Sequence, residues 1–153
     1  MFRGIASLVM DVKGRLSIPA RYRDSIPMGK SPHLIITIDT ESPSLLLYPL
    51  KEWEFIEEKL QQLPSFNPAT RRIQRLLLGH ASELEMDSAG RVLLPTPLRE
   101  YANLDKKAVL LGQGKKLELW DEDNWKTQRE RWLSEERHKN PEQLPAELAD
   151  LSL

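Results

Sequence analysis

The segment DVKGRLSIP, residues Asp11 to Pro19, returns seventy-six positions later as DSAGRVLLP, residues Asp87 to Pro95. Both segments carry Asp-x-x-Gly-Arg followed by an apolar run and a proline. The match extends to both sides, at Leu8 and Leu84, Met10 and Met86, Arg23 and Arg99, Tyr48 and Trp120, and Trp53 and Trp125. Self-similarity at a fixed spacing indicates one structural unit used twice. We therefore interpret the chain as two tandem copies of one module plus connectors.

Composition limits the possible classes of protein. The chain has 153 residues, 40% of them hydrophobic, and a single copy of about fifty residues would bury little apolar surface by itself. We therefore expect the copies to pack on each other or on further subunits. The absence of cysteine excludes disulfides and thiolate metal sites, and we predict no metal or other cofactor. Met1 leads directly into the first copy, and no long apolar stretch follows, so we expect a cytoplasmic protein without a membrane partner.

Local patterns predict short strands and turns followed by a helix, twice. In the first copy we expect a strand from Ile5 to Met10, a turn, and a strand from Arg15 to Ile18 that returns along the first. A hairpin of Leu34 to Asp39 with Leu45 to Tyr48 follows, then a helix after Pro49. In the connector we expect Asn67 to cap a helix that begins at Pro68, and the second copy repeats the hairpin at Ala108 to Trp120. The class is α+β, mainly β. Four segments are expected: module 1 at 5–53, a helical connector at 54–80, module 2 at 81–125, and a C-terminal helix and tail at 126–153.

The repeated turn carries the candidate functional residues. Asp11 can accept hydrogen bonds from backbone N–H groups of the turn or pair with Arg15. Gly14 permits a positive φ at the tightest point. Arg15 begins the next strand and presents a planar fork that suits guanine O6 and N7 or a phosphate group. From one copy alone, an Asp–Arg pair that only stiffens the turn is the simpler interpretation. Two copies in equivalent contexts favour a role in binding nucleic acid.

Charge is distributed unevenly along the chain. Residues 1–76 hold 11 Lys/Arg against 8 Asp/Glu, a net +3, and residues 77–153 hold 11 against 15, a net −4, which together give the total of −1. A local basic patch can bind phosphate even when the whole chain is nearly neutral; an ordinary solvated basic face is the alternative. The basic residues of the first thirty positions are Arg3, Lys13, Arg15, Arg21, Arg23 and Lys30.

The chain resembles the MraZ family of bacterial transcriptional regulators, which contain two tandem SpoVT/AbrB-type modules. Five segments carry the resemblance, which runs from Met1 to the region of Trp125: MFRG, DVKGRLSIPARYR, LLLYPLKEWE, NPATRRIQRLLLGHASELEMDSAGR and GQGKKLELWDEDNW. It implies a pseudo-dimeric swapped-hairpin (double-psi type) β-barrel in which strands of the two modules interleave, and assembly of chains into a ring. It also implies binding to G-rich direct repeats in the promoter of the division and cell-wall gene cluster that begins with the family's own gene, commonly with repression.

By position, the DxxxR motifs of the family fall on Asp11 and Arg15 and on Asp87 and Arg91. We expect Arg15, and to a lesser extent Arg91, to contact guanine in the major groove, with Lys13 and Arg3 on the DNA backbone. Gly14 and Gly90 would shape the turns. The second copy replaces basic residues and places acidic ones before its turn, so we expect the first turn to dominate DNA contact. The differences are Ala89 for Lys13, Pro97 for Arg21, and the acidic Glu83 and Glu85.

Two other classes of protein compete with this interpretation. An enzyme could use Asp11 and Asp87, or His80 and Glu83, as acid and base. The three histidines of the chain, His33, His80 and His138, are far apart in sequence, and no nucleophile elbow or phosphate-cradling glycine loop occurs. We therefore predict no enzymatic activity, no catalytic residue and no small-molecule substrate. The second class is an antitoxin-like module that binds a protein partner through a C-terminal segment, for which 140–153 is short.

Overall fold

The computed structural model describes residues 1–27 and 33–151. Lys30, which the sequence places in the basic patch, lies outside the described residues. The chain forms two compact units, residues 1–122 and residues 123–153. Both copies of the Asp-x-x-Gly-Arg turn belong to the first unit. The four segment boundaries expected from the sequence stay a prediction.

The described residues of the first unit form eight strands and four complete helices, and the two copies repeat the same order of elements. The first copy comprises β1 (Ile5–Val9), β2 (Arg15–Ser17), α1 (Ala20–Arg23), β3 (His33–Ile38), β4 (Ser44–Pro49) and α2 (Leu50–Gln62). The connector helix is α3 (Pro68–Gly79). The second copy comprises β5 (Ser82–Glu85), β6 (Arg91–Leu93), α4 (Thr96–Tyr101), β7 (Lys107–Gln113), β8 (Lys116–Asp121) and α5 (Glu122–Arg137).

The two copies interleave in one antiparallel sheet of order β1-β7-β8-β4-β3-β5. Strand β1 of the first copy pairs with β7 of the second, and β5 of the second copy pairs with β3 of the first. The central pair joins β4 to β8. If each strand is exchanged for its counterpart in the other copy, the order reads the same in reverse. The fold is therefore a mixed α+β structure with a pseudo-twofold axis between the copies, and neither copy is a separate body.

A second sheet consists of β2 and β6 alone, which we call the central ribbon. Its register places Arg15 opposite Leu93, Leu16 opposite Val92 and Ser17 opposite Arg91. The expected turn forms, but the expectation that β2 pairs back along β1 is wrong, since β2 finds its ladder partner in the other copy. Leu16 and Val92 are buried, which explains the pairing: the ribbon covers the core that both copies share.

Alternating side chains place β3 and β4 between two apolar clusters. Leu34, Ile36 and Ile38 face the main core with Leu45 and Leu47. The intervening residues face the other way and pack with the helix after Pro49; they are Ile35, Leu46, Tyr48 and Trp53. The predicted hairpin of β3 and β4 is confirmed, and so is that of β7 and β8. A strand buried on both faces requires apolar residues at consecutive positions, as these strands have.

The connector helix α3 begins and is held in place by specific hydrogen bonds. The Asn67 side chain accepts a hydrogen bond from the N–H of Ala69 at 2.8 Å, with Pro68 at the first helical position, as the sequence predicts. Near the other end of the helix, the buried Thr37 hydroxyl on β3 donates to the carbonyl oxygen of Leu77 at 2.7 Å. The first bond caps the helix, and the second ties its C-terminal part to β3 of the sheet.

The second unit is mainly helical. Most of α5 belongs to it, followed by a 3-10 turn at Pro141–Gln143 and the short α6 (Ala146–Ala149). Within α5, the rings of Trp125 and Trp132 lie edge to face with centroids 6.2 Å apart. The Asn140 side chain caps the 3-10 turn.

Candidate nucleic-acid interface

The Asp11 carboxylate organises the first turn through three hydrogen bonds. Its Oδ1 accepts from the backbone N–H groups of Lys13 at 3.0 Å and Arg15 at 2.9 Å. Its Oδ2 accepts from Nε of Arg15 at 2.7 Å. The N–H of Gly14 donates to the carbonyl oxygen of Asp11 at 3.0 Å. The side chain of Arg15 is therefore held at its Nε edge by the turn from which it emerges.

The second turn has the same geometry. The Oδ1 of Asp87 accepts from the N–H groups of Ala89 at 2.9 Å and Arg91 at 2.8 Å, and Oδ2 accepts from Nε of Arg91 at 2.9 Å. Gly90 donates its N–H to the carbonyl oxygen of Asp87 at 2.9 Å. The structural interpretation of the motif and the functional one are thus compatible, since the Asp–Arg pair stiffens the turn and also aims the arginine.

These contacts lower the pKa of both carboxyl groups. For Asp11 the largest cause is the hydrogen bond from the backbone N–H of Arg15, with further lowering by the Arg15 side chain and the Lys13 N–H. For Asp87 the backbone N–H of Arg91 is likewise the main cause. Both carboxylates therefore stay ionised at neutral pH, and each keeps its arginine in place by charge as well as by hydrogen bonding.

Both arginines project from the same exposed face of the central ribbon. Residues at i and i+2 of a strand share a face, so Arg15 and Ser17 lie on the face of Arg91 and Leu93, opposite the buried Leu16 and Val92. The two arginines lie on adjacent strands and are offset by two residues, so their Cα atoms are about 8 Å apart. In the described part of the chain, Nε is the only Arg15 side-chain nitrogen with a hydrogen bond. The terminal nitrogens can thus contact a ligand.

Each turn glycine is contacted by an arginine of the other copy. Gly14 has φ +88°, and a Cβ built there would lie 2.7 Å from Cζ of Arg99. Gly90 has φ +77°, and its Cβ would lie 2.5 Å from Nη1 of Arg23. In addition, the carbonyl oxygen of Gly14 accepts from the N–H of Leu94 at 2.9 Å. Each copy therefore supports the turn of the other.

The role of Arg23 and Arg99 as supports is not apparent from the sequence. Their Nε atoms are buried and have no hydrogen-bond partner within the described ranges. Nη2 of Arg99 donates to the hydroxyl of Thr96 at 2.8 Å, and both side chains pack against the turns. The sequence shows only that these arginines stand at equivalent positions in the two copies; their contact with the glycine of the other copy depends on strand pairing between the copies.

The remaining sequence-predicted residues are separated. Lys13 is exposed on the first turn, close to Arg15. Arg3 is also exposed, but it lies at the opposite end of β1, where its neighbour Phe2 bridges to Gly114. Arg21 lies near that end as well and donates to the carbonyl oxygen of Ile5 at 2.9 Å. Only Lys13 and the two motif arginines are therefore brought together by the central ribbon.

The histidines that an enzyme could use are dispersed. Nδ1 of His80 lies 2.7 Å from the carbonyl oxygen of Leu76, and that of His138 lies 2.8 Å from the carbonyl oxygen of Ser134. His33 lies against the Glu83 carboxylate on the neighbouring strand. Among the described residues, no group of three or more His, Asp or Glu side chains has the arrangement of a metal site. None of the described helices is both long and apolar enough to span a membrane.

These features define a class of α+β protein in which two copies of one module interleave and present paired Asp-x-x-Gly-Arg turns on a central ribbon. The family model described as MraZ protein, antitoxin-like, matches this chain twice, at residues 1–76 and 77–146. The chain belongs to the MraZ family.

Relatives are similar along most or all of their length. A protein of Coxiella burnetii (strain RSA 493) is 54% identical over 153 residues, all of both chains. One of Legionella pneumophila (strain Paris) is 52% identical, also over all of both chains. One of Marinomonas sp. is 57% identical over 136 residues, 89% of this chain and 90% of the relative. All three are named transcriptional regulator MraZ. The family assignment confirms the resemblance and the expectation of a transcriptional regulator rather than an enzyme.

Proposed function

We propose that the chain is a sequence-specific, double-stranded DNA-binding repressor that reads G-rich direct repeats. The supporting observation is the pair of arginines held by aspartates on one exposed face of the central ribbon. A guanidinium fixed at Nε can present its two terminal nitrogens to O6 and N7 of guanine, a contact worth about 1 to 3 kcal/mol of discrimination. Because the turn fixes the side chain in advance, little conformational entropy is lost on binding.

Phosphate contacts would set the position of the protein on DNA. Lys13 is exposed beside Arg15 and has no carboxylate partner within the described ranges, so it suits a phosphate contact. We include Arg3 in the same role, on a more distant part of the backbone. We expect a weaker contribution from Arg91, since its copy lacks the counterpart of Lys13.

The target and the assembly follow from the family resemblance. We propose as the target the promoter of the division and cell-wall gene cluster that includes the gene of the regulator itself, and we therefore expect the protein to act with the nucleoid in the cytoplasm. The interleaved strands are compatible with a swapped-hairpin β-barrel. We also include assembly into a ring, for which exposed Ile5 and Val9 on the terminal strand β1 offer apolar surface. A ring that presents many turns to spaced repeats gains avidity.

Footprinting with substituted proteins tests the proposal. Arg15→Ala should abolish protection of the G-rich repeats upstream of the gene, while size-exclusion elution stays unchanged. Arg91→Ala, the matched variant, should weaken protection less. A smaller assembly on removal of Arg15 would assign that residue a structural role, and equal losses from both variants would contradict the asymmetry.

An antitoxin-like module that binds a protein partner is the second candidate, and the family description includes that likeness. Tight capture of a protein partner, together with no binding to G-rich repeats in a gel-shift assay, would favour this alternative over the regulator.

A further inference from the structure

The pseudo-twofold symmetry of the ribbon creates an orientation problem for a DNA reader. The duplex backbone is itself twofold symmetric, so two equal copies could each take the reading position. The protein would then bind the same G-rich element in two opposite orientations. Direct repeats, by contrast, require every chain to lie in one orientation. Something in the structure must therefore make the copies unequal.

The inequality lies at the sides of the ribbon. Glu83 and Glu85 are exposed on β5, and with Leu93 they line a shallow depression of about 430 Å³. Leu93 is 58% exposed and stands directly opposite Arg15 on the ribbon. The same positions in the first copy are uncharged or apolar. Counterparts across the pseudo-twofold axis are Ser7 and Glu83, Val9 and Glu85, Lys13 and Ala89, and Ser17 and Leu93.

Charge turns this difference into a preference. Each Asp–Arg pair of the motif has a net charge of zero. At the positions just compared, the first copy therefore has a net charge of +1, from Lys13, and the second has −2, from Glu83 and Glu85. Glu83 lies against His33, whereas Glu85 has no ion-pair partner in the described part of the chain. Phosphates near the second copy therefore meet repulsion, and phosphates near the first meet attraction.

We propose that Glu83 and Glu85 are orientation determinants: they repel the DNA backbone on the side of the second copy, so that the Arg15 turn takes the main reading position and each chain binds in one direction. This inference rests on the proposed DNA-binding function. Its residues contact no base. They act by making the reversed complex unfavourable, which is a recognised route to specificity.

A tethered-cleavage experiment tests the inference, because the cysteine-free chain accepts a single label. Asp105 is exposed next to Lys106, whose carbonyl oxygen accepts from the N–H of Met10 at 2.7 Å, so Asp105→Cys with iron-EDTA marks the side of the first turn. On DNA with one G-rich repeat, the labelled protein should cut on one side of the repeat with at least about a tenfold excess, equivalent to about 1.4 kcal/mol. The full chain is used throughout.

In the same labelled background, Glu83→Ser, Glu85→Val and Ala89→Lys give the second copy the residues of the first at the three positions that differ in charge. This variant should cut on both sides with similar intensity. A second variant, Glu83→Gln with Glu85→Gln, removes both negative charges without adding a cation and should reduce the excess at least threefold. The control changes the net charge by the same +3 on α2, with Glu54→Gln and Glu58→Lys, and should stay one-sided.

The outcomes separate the two hypotheses. One-sided cutting by both variants at Glu83 and Glu85 would overturn the role of these residues. Two-sided cutting by the α2 control would show that any added positive charge has the same effect. Failure of the labelled parent to bind G-rich DNA at all would instead refute the proposed function.

Discussion

A turn of five residues can fix a side chain as long as that of arginine when one carboxylate bonds both its backbone and its Nε. Asp11 does so for Arg15, and Asp87 does so for Arg91. The duplicated motif was sufficient to predict the Asp–Arg contact in each turn and the positive φ of Gly14. It could not predict the contacts of Arg23 and Arg99, because they cross between the copies and depend on strand pairing that no local pattern encodes.

Gly14→Ala should destabilise the protein by roughly 1 to 3 kcal/mol, since a side chain at positive φ is strained. The added Cβ would also displace the Arg99 guanidinium, which lies 2.7 Å from it. Urea denaturation measures the change. Gly79→Ala is the matched control, because its Cβ would meet nothing within 4 Å. Equal stability of the Gly14 variant and the parent would mean that the turn adapts without strain.

Acidification should weaken the turns. The folded pKa of Asp11 and Asp87 lies below the ordinary value of 3.8, so the ionised carboxylates favour the folded state. Their contribution is complete above the ordinary pKa and is lost as pH falls through the folded pKa. The denaturation midpoint should therefore drop below pH 4. It should drop less in a double variant, Asp11→Asn with Asp87→Asn; an identical drop would assign the acid sensitivity to other groups.

Individual elements were more predictable than their pairing. Local sequence was sufficient to locate the helices α2 and α3, through periodic apolar residues, prolines and Asn67. It also located the hairpins of β3 with β4 and of β7 with β8. Each of these elements depends on near neighbours in sequence. The partner of β2 was wrong for the opposite reason: its pairing with β6 joins residues of separate copies. The residues of a turn predict that the chain reverses direction. They do not determine which strand pairs with the strand that follows the turn.

Asn67→Ala should lower the free energy of unfolding by about 1 kcal/mol, because it removes the side chain that caps α3. Thermal or urea denaturation of the full chain measures the loss. Asn140→Ala removes a similar cap, at 3.1 Å from the Glu142 nitrogen in the short 3-10 turn, and should leave the main transition unchanged. Equal effects from the two substitutions would show that the connector helix does not limit stability.

At the scale of the whole molecule, a net charge of −1 gives DNA no general attraction to the chain. Binding must then depend on a few local cations, and its salt dependence should be modest for a DNA-binding protein. Each phosphate contact contributes about −0.9 to the slope of log K against log salt.

Lys13→Ala should reduce that slope by about 0.9 per chain in contact with DNA, and it should weaken specific and nonspecific binding alike. Arg15→Ala should leave the slope nearly unchanged and remove the preference for G-rich DNA. Fluorescence anisotropy at several salt concentrations distinguishes the two. An equal loss of slope from both variants would assign Arg15 to phosphate rather than to guanine.

The interleaving of the copies also has a consequence for synthesis on the ribosome. Strand β4 ends at Pro49, but its partner β8 is complete only at Asp121. At ~5–20 residues per second, the edge of β4 that is not bonded to β3 stays without its partner for roughly 4 to 14 seconds. During that interval the same strand can pair with a neighbouring nascent chain. Spacing between ribosomes on one message therefore bears on how much of this protein reaches its native state.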